Sequence, residues 1–286
     1  FRTKWLNRLF LYLFSMISWW NPFDYASSHT YHHRYTLHPE GDREVLLPLH
    51  PRTDKTFLLQ LFTVNLLTRP GRTFGKDRLI PSVCVTILDA VGKTGYNDVQ
   101  STEWLNALHA DHPEQHRRSM WWSRAQLAVH GTILVIAIAT GLWVLPLIFT
   151  FCGFFANWLS YFVSLPQHCG MRENVADFRK TTRSMRVPRL LEFLYWHMNW
   201  HCEHHMYAGV PCYNLRALHE EVKNDMPEPR TLTGAWREML ETWKQQQADP
   251  DYQFDTPLPA TARTSRARKA ISEEASIGDL APKGLA

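Results

Sequence analysis

Residues 132–145 read TILVIAIATGLWVL and lie within a longer stretch, Ala125–Met171, that contains no Lys, Arg, Asp or Glu. A helix needs about 20 residues to cross the roughly 30 Å hydrocarbon core of a bilayer, so this stretch is long enough for two spans. Gly141 and Pro146 lie near its middle, where a tight turn can form. The sequence therefore predicts a membrane-spanning helical hairpin over residues 127–145 and 147–165.

Basic residues flank this stretch on both sides. Those before it are Arg117, Arg118 and Arg124, and those after it are Arg172, Arg179, Lys180, Arg183 and Arg186. Because cytoplasmic flanks of membrane helices are enriched in Lys and Arg, we predict that both ends of the hairpin lie in the cytosol. Shorter apolar segments are predicted to be interfacial helices, or alternatively buried core helices, at Trp5–Trp20, Asp54–Thr68 and Leu79–Val91.

The composition is typical of a membrane protein with large polar portions. Hydrophobic residues make up 45% of the 286 residues, yet the mean hydropathy is −0.31, so the apolar residues must be concentrated in segments. The net charge of +4 gives no indication of a nucleic-acid partner. The five cysteines form no C-x-x-C pair, which argues against a disulfide framework and favours a reducing, cytosol-facing location. We predict one domain over residues 1–245 and a polar, disordered C-terminal tail over residues 246–286.

Two copies of the pattern H-x-x-H-H suggest a metal site. They are His29-Thr-Tyr-His32-His33 and His201-Cys-Glu-His204-His205. Positions i, i+3 and i+4 share one face of a helix, so each copy presents three imidazoles toward a common point. Six imidazoles exceed the four ligands of one tetrahedral zinc ion, which favours two metal ions. Imidazole ligation without thiolates suits iron, with copper and zinc as open alternatives.

The residues around these motifs resemble a known family. The string WHMNWHCEHHMYAGVPCYNLRALH, Trp196 to His219, resembles the third histidine box of the membrane fatty acid desaturase superfamily. The motif at His29 resembles the second box. Gln167-His168-Cys-Gly170 resembles a short element between the two boxes whose His is an additional metal ligand in the family.

This resemblance implies a fold and a set of ligands. The fold would be all-α, with integral-membrane helical hairpins and a cytosolic helical cap that carries the boxes. The metals would be two non-haem iron ions, and the ligands, which would act in catalysis through the metals, would be His29, His32, His33, His168, His201, His204 and His205. From their positions near the boxes, we also predict that Glu173, Asp177 and Glu203 orient the imidazoles. The alternative is that Glu173 and Asp177 balance the nearby basic residues.

The resemblance also implies an activity and its partners. The substrate would be a fatty acyl or lipid chain, O2 would be the co-substrate, and ferredoxin, cytochrome b5 or a reductase would donate electrons. The protein would lie in an inner, plasma or endoplasmic-reticulum membrane, with the boxes and the C-terminal tail in the cytosol. Two other functions remain open. One is a hydroxylase or ketolase that acts on an alkane, carotenoid or sphingoid chain, and the other is an inactive metal-binding membrane homologue.

The first histidine box of the family, H-x-x-x-H, has no counterpart before His29. We therefore expect this chain to be an N-terminally incomplete member that is inactive alone. Two pairs have the i, i+4 spacing of that box, His197 with His201 and His112 with His116. We expect neither to replace it, because His197 precedes a box already complete and residues 110–118 are polar, contain Pro and are predicted to form a surface loop.

Overall fold

The computed structural model describes residues 3–66, 78–94 and 99–262, and this part of the chain is mostly helical, which confirms the all-α prediction. The chain divides into two compact units. The first comprises Phe1–Thr30 and Arg43–Phe162, and the second comprises Tyr31–Asp42 and Val163–Ala286.

The first unit contains most of the longer helices. They are α1 (Lys4–Ile17), most of α2 (Pro22–Arg34), α3 (Lys55–Phe62), α4 (Leu79–Ala90), α5 (Val99–Asp111), α6 (Pro113–Thr140), α7 (Val144–Phe149) and the larger part of α8 (Trp158–Ser164). These helices include α1, α3 and α4, which match the three shorter apolar segments of the sequence, although α1 begins one residue earlier, at Lys4.

Helix α6 is the first arm of the predicted hairpin, although it begins earlier than predicted. Pro113 occupies its first turn, where a missing N–H costs nothing, and Gly141 ends it with a φ of 75°. The prediction of a surface loop over residues 110–118 is therefore wrong. Among the described residues, α6 is the one helix long and apolar enough to cross a membrane.

Side chains on α6 are arranged with polar groups inward and apolar groups outward. Ser119, Ser123, Gln126 and His130 are buried, whereas apolar side chains such as Ile138 are exposed. The Gln126 side-chain amide donates to the carbonyl of Ser15 in α1 over 3.0 Å. Such a distribution is unfavourable in water and favourable in lipid.

The predicted second arm, residues 147–165, is not one continuous helix. It contains the end of α7, a short 3-10 helix at Cys152–Phe154 and α8. The backbone between them bonds to residues 63–65, because the Asn65 N–H donates to the Phe154 carbonyl and the Ala156 N–H donates to the Thr63 carbonyl, both over 2.8 Å. Ala156 also has a φ of 48°, which interrupts a right-handed helix. Hydrophobicity predicted the apolar character of this arm correctly and its continuity wrongly.

The second unit is built from short helices around the histidines. They are α9 (Phe178–Thr181), α10 (Arg189–Leu194), α11 (His201–Met206), α12 (Leu215–Val222) and α13 (Leu232–Gln246), with a parallel strand pair of β1 (Met185–Arg186) and β2 (Arg230–Thr231). A small buried core contains Phe178, Met226 and Cys202 of α11.

Part of the predicted tail contacts the second unit. The Phe254 N–H donates to the Gly170 carbonyl over 3.2 Å, and the Lys180 ammonium donates to the Thr256 carbonyl over 2.6 Å. Thr256 is buried. The remainder of the predicted tail, residues 263–286, lies outside the described residues.

Candidate metal centre

The two H-x-x-H-H motifs lie on helices, as their spacing predicts. The first occupies the last two turns of α2, and the second occupies α11. A tight turn precedes α11, in which Trp196 and His197 have φ values of 54° and 57°. Left-handed conformations of such residues cost on the order of 1–3 kcal/mol each, so the surrounding contacts must hold this turn. One of them is the 2.8 Å bond from the His197 N–H to the Glu192 carbonyl.

Four buried histidines form a compact group in the second unit, and each offers one ring nitrogen within 4.8 Å of the others. They are His32, His168, His201 and His205. The Nε2 atom of His201 lies 2.8 Å from Nε2 of His168 and 3.1 Å from Nε2 of His205. Two imidazoles bound to one ion at about 2.0–2.1 Å would place their nitrogens about 3 Å apart. The spacing of these atoms therefore fits a shared metal ion.

Three of these imidazoles are held at their other nitrogen. His32 Nδ1 lies 2.9 Å from the Asp42 carboxylate, and His168 Nδ1 lies 3.0 Å from the Thr181 carbonyl. His205 Nδ1 lies 3.0 Å from the Thr36 hydroxyl. That hydroxyl already donates to the His32 carbonyl, so it accepts from His205.

Each of the three rings therefore donates from Nδ1, and in the neutral ring the lone pair of Nε2 faces the centre of the group. Lone pairs that face one another repel, and a bound cation removes that repulsion. The same bonds fix the tautomer and the ring orientation that a metal ligand requires. The donor set thus fits a metal ion that prefers imidazole.

Burial and neighbouring rings keep two of these histidines in the neutral form that can bind metal. Burial, together with the neighbouring His168, holds the pKa of His201 well below its usual range. Burial and the neighbouring His201 do the same to the pKa of His205. Both rings are thus neutral at neutral pH, and a metal ion has no proton to displace from them.

The remaining box histidines of the second unit form a pair. His33 Nε2 lies 3.0 Å from His204 Nε2, and both side chains are partly exposed. His29 lies one turn before His33 on the same face of α2. Its Nδ1 donates to the Glu44 carboxylate over 2.6 Å.

Comparison with protein families gives one match, in which the model of the fatty acid desaturase family covers residues 1–235. The chain belongs to the fatty acid desaturase family. Comparisons with curated proteins and with solved structures give no match. The family implies an oxidoreductase of the desaturase type, a lipid substrate, a membrane context and non-haem iron, and the buried histidines are compatible with that metal.

Two carboxylates of this chain contact box histidines, and the sequence analysis missed both. Asp42 and Glu44 follow His33, the last residue of the first box, by nine and eleven residues, beyond the end of α2. No helical or strand periodicity connects them to the box. The one signal was chemical, because carboxylates are the common partners of ligating imidazoles.

Of the three residues that the sequence proposed for this role, Asp177 and Glu203 bond to other groups through their carboxylates. Asp177 caps α9 and pairs with Arg179 over 2.7 Å. The backbone N–H of Glu173 bonds to Gln253, and burial raises the pKa of the Glu173 carboxyl. Glu203 accepts from the Ser184 hydroxyl and from His219, both over 2.5 Å.

Glu203 therefore supports the helix that bears the ligands. It is fully buried between His201 and His204 in the sequence of α11. The hydroxyl of Ser184 that donates to Glu203 also accepts the Cys202 N–H over 3.0 Å, so one side chain ties the carboxylate to the helix backbone. His219 is buried as the partner of Glu203.

The two pairs considered as substitutes for a first box lie elsewhere. His197 Nδ1 bonds to Glu192 over 3.2 Å. His112 caps the start of α6, and His116 stacks on His109 with ring centroids 4.3 Å apart. Among the described residues, His197, His112 and His116 belong to neither histidine group that could hold a metal, whereas His201 belongs to the four-histidine group already described.

Proposed function

We propose that this protein is an O2-dependent, di-iron membrane desaturase that introduces a double bond into a fatty acyl or lipid chain. The observation that carries the proposal is the group of four buried imidazoles, His32, His168, His201 and His205, in a chain of the desaturase family. Three of those rings have their tautomer fixed by a partner at Nδ1. This arrangement is typical of a built metal site.

We assign the two iron ions to two ligand sets. The first set is the buried group of His32, His168, His201 and His205. The second set is His29, His33 and His204, which is supported by the 3.0 Å contact of His33 with His204 and by the position of His29 one turn earlier on α2. When bound, the irons would use O2 and electrons from an external donor, such as ferredoxin, cytochrome b5 or a reductase, to remove hydrogen from an unactivated carbon.

The chain itself contributes orientation, charge and exclusion of water. Asp42 and Glu44 each place a carboxylate behind a ligating ring, which raises the basicity of that ring. The Thr181 carbonyl behind His168 and the Thr36 hydroxyl behind His205 are uncharged acceptors, so the rings of the four-histidine set have unequal partners. Burial of the four-histidine group keeps bulk water away from the reactive position.

We propose that α6 anchors the protein in the bilayer and that the histidines and the C-terminal tail face the cytosol. The support for the anchor is the length and apolar surface of α6. The support for the orientation is the excess of Arg and Lys on both flanks of the apolar stretch.

The experiment is to express the protein with a reductase and to measure iron per chain and the lipid products by mass spectrometry. We expect bound iron in this chain, and unsaturated acyl chains in a form to which the H-x-x-x-H box of the family has been added, because the chain without that box is expected to be inactive. His201→Ala should lose iron and product, whereas His50→Ala, an exposed histidine outside both ligand sets, should keep both. Hydroxylated or ketone products would identify the hydroxylase or ketolase alternative. Bound iron without O2 consumption would identify an inactive metal-binding homologue.

A further inference from the structure

Helix α10 has its apolar side chains on the outside and its acidic side chain on the inside. Leu190 and Phe193 are each 71% exposed and Leu194 is 57% exposed, whereas Glu192 is only 4% exposed. Leu190, Phe193 and Leu194 are spaced i, i+3 and i+4, so they share one face of the helix. Trp196, two residues beyond the helix, is also 57% exposed. An exposed apolar face of this kind is unfavourable in water and is typical of an interaction site.

We infer that this face of α10, formed by Leu190, Phe193, Leu194 and Trp196, lies in the surface of a lipid bilayer. The charges next to the face favour a lipid over a protein partner. Arg186 and Arg189 are exposed, and Glu192, which is buried, is the only acidic residue between them and His201. Arg186 forms an ion pair with Glu228, whereas Arg189 forms none within the described part of the chain. A basic edge beside Leu, Phe and Trp suits anionic lipid headgroups.

The length of the helix determines how it would lie. Six residues of helix extend for about 9 Å, which is far too short to cross a bilayer. The helix would therefore lie along the interface, with Phe193 and the leucines in the acyl region and Trp196 near the headgroups, where Trp is enriched. This contact belongs to the second unit and is separate from the membrane-spanning role proposed for α6.

The inward face of α10 is tied to the metal-ligand helix. The Trp200 indole N–H donates to Glu192 over 2.6 Å, and Trp200 directly precedes the first residue of α11 as its N-cap. A helix that contacts lipid on one side and α11 on the other would hold the ligands close to the lipid surface from which an acyl substrate comes. This consequence rests on the proposed desaturase function, whereas the lipid contact itself does not.

The test measures the depth of one position. Phe193→Cys would be labelled with a bimane fluorophore in a background in which Cys84, Cys152 and Cys212 are replaced by Ser, and the protein would be reconstituted in vesicles of phosphatidylcholine and phosphatidylglycerol. Gln245→Cys, an exposed position near the end of α13, is the matched control. We expect doxyl-labelled lipids to quench the label at position 193 at least threefold more than the label at position 245, and aqueous iodide to do the reverse.

Two results would overturn the inference, and a third would remove the anionic headgroups from it. Strong quenching of position 193 by iodide but not by doxyl lipid would mean that the face contacts water. Quenching by neither reagent would mean that protein covers it, whether another segment of this chain or a second copy. Equal doxyl quenching with and without phosphatidylglycerol, and in Arg189→Gln, would exclude the role of anionic headgroups. The measurement needs neither iron nor turnover, so its failure is distinguishable from failure of the proposed function.

Discussion

Replacing Asp42 by Asn should weaken metal binding without unfolding the second unit. Asp42 is buried, and its Oδ2 accepts from both His32 Nδ1 and the Leu37 N–H over 2.9 Å, while its Oδ1 lies 3.1 Å from the same His32 Nδ1. Asn has the same shape, and its amide oxygen can still accept from Leu37. Its NH2 group would then replace Oδ1, so the negative charge would be lost and a donor would lie beside the Nδ1 proton of His32. This repulsion favours the tautomer of His32 that carries its proton on Nε2, which cannot bind a metal through that atom.

The expected size of the effect follows from this contact. Loss of a partner behind a ligating histidine typically costs 10–100-fold in metal affinity. At about 1.4 kcal/mol for each factor of ten, this range corresponds to about 1.4–2.8 kcal/mol. We place Asp42→Asn toward the upper end, because the bond is buried and its acceptor is a charged carboxylate.

The assay is competition for ferrous iron with a chelator of known affinity, under anaerobic conditions, on the purified protein. Asp177→Asn is the matched control, because it also removes a carboxylate of the second unit but one that pairs with Arg179. We expect the control to keep the affinity of the unchanged protein. An Asp42→Asn affinity within a factor of two of the unchanged protein, or an equal loss in Asp177→Asn, would refute the assignment of Asp42 as the partner of a ligand.

Three further outcomes are expected. His204→Ala should lower the iron content by about one ion per chain and leave iron bound to the four-histidine group. Metal analysis of this variant, with His50→Ala as the control, would measure this. An unchanged iron content would contradict the second ligand set. Cys labels at exposed positions 117 and 172 should both be protected from a membrane-impermeant thiol reagent added outside intact cells, and labelling of either would reverse the proposed orientation. Glu203→Gln and His219→Ala should each lower the melting temperature in detergent. The double variant should lower it little further, because each single change already breaks the same buried pair. Additive losses would mean that the two residues act separately.

Local patterns could be predicted from the sequence. The spacing of H-x-x-H-H places its three imidazoles on one face of a helix, and both copies do lie on helices. The apolar composition of residues 132–140 likewise predicts that this C-terminal part of α6 is helical, although the helix stops at Thr140 and not at residue 145 as predicted. These predictions succeed because helix geometry depends on neighbours three and four residues away, which the sequence displays directly.

Features that depend on distant backbone contacts could not be predicted. The break between α7 and α8 depends on hydrogen bonds of Phe154 and Ala156 with residues 63–65, which are about ninety residues earlier in the chain. An apolar composition favours burial in lipid but does not determine whether a helix is continuous. The same limit applies to Asp42, which reaches His32 only because the chain turns back after α2.

His168 illustrates a third case, in which a family resemblance proposed a ligand that composition and spacing did not. A lone histidine is usually an ordinary polar residue, and only its resemblance to an inter-box element made it a candidate. Its position now has a physical reason. The Thr181 carbonyl accepts from Nδ1, so Nε2 of His168 must face His201.

The partners behind the ligands also explain why the ligands alone are a weak signature. Asp42, Thr36 and Thr181 fix three rings through a carboxylate, a hydroxyl and a backbone carbonyl, so no single residue type identifies them. A backbone carbonyl in particular leaves no trace in the sequence, because any residue at position 181 supplies one. Substitution of the Thr181 side chain should therefore leave the tautomer of His168 unchanged. Insertion of one residue between positions 178 and 181 should move that carbonyl and release the His168 ring. The metal site therefore depends more on the register of α9 than on which side chains α9 carries.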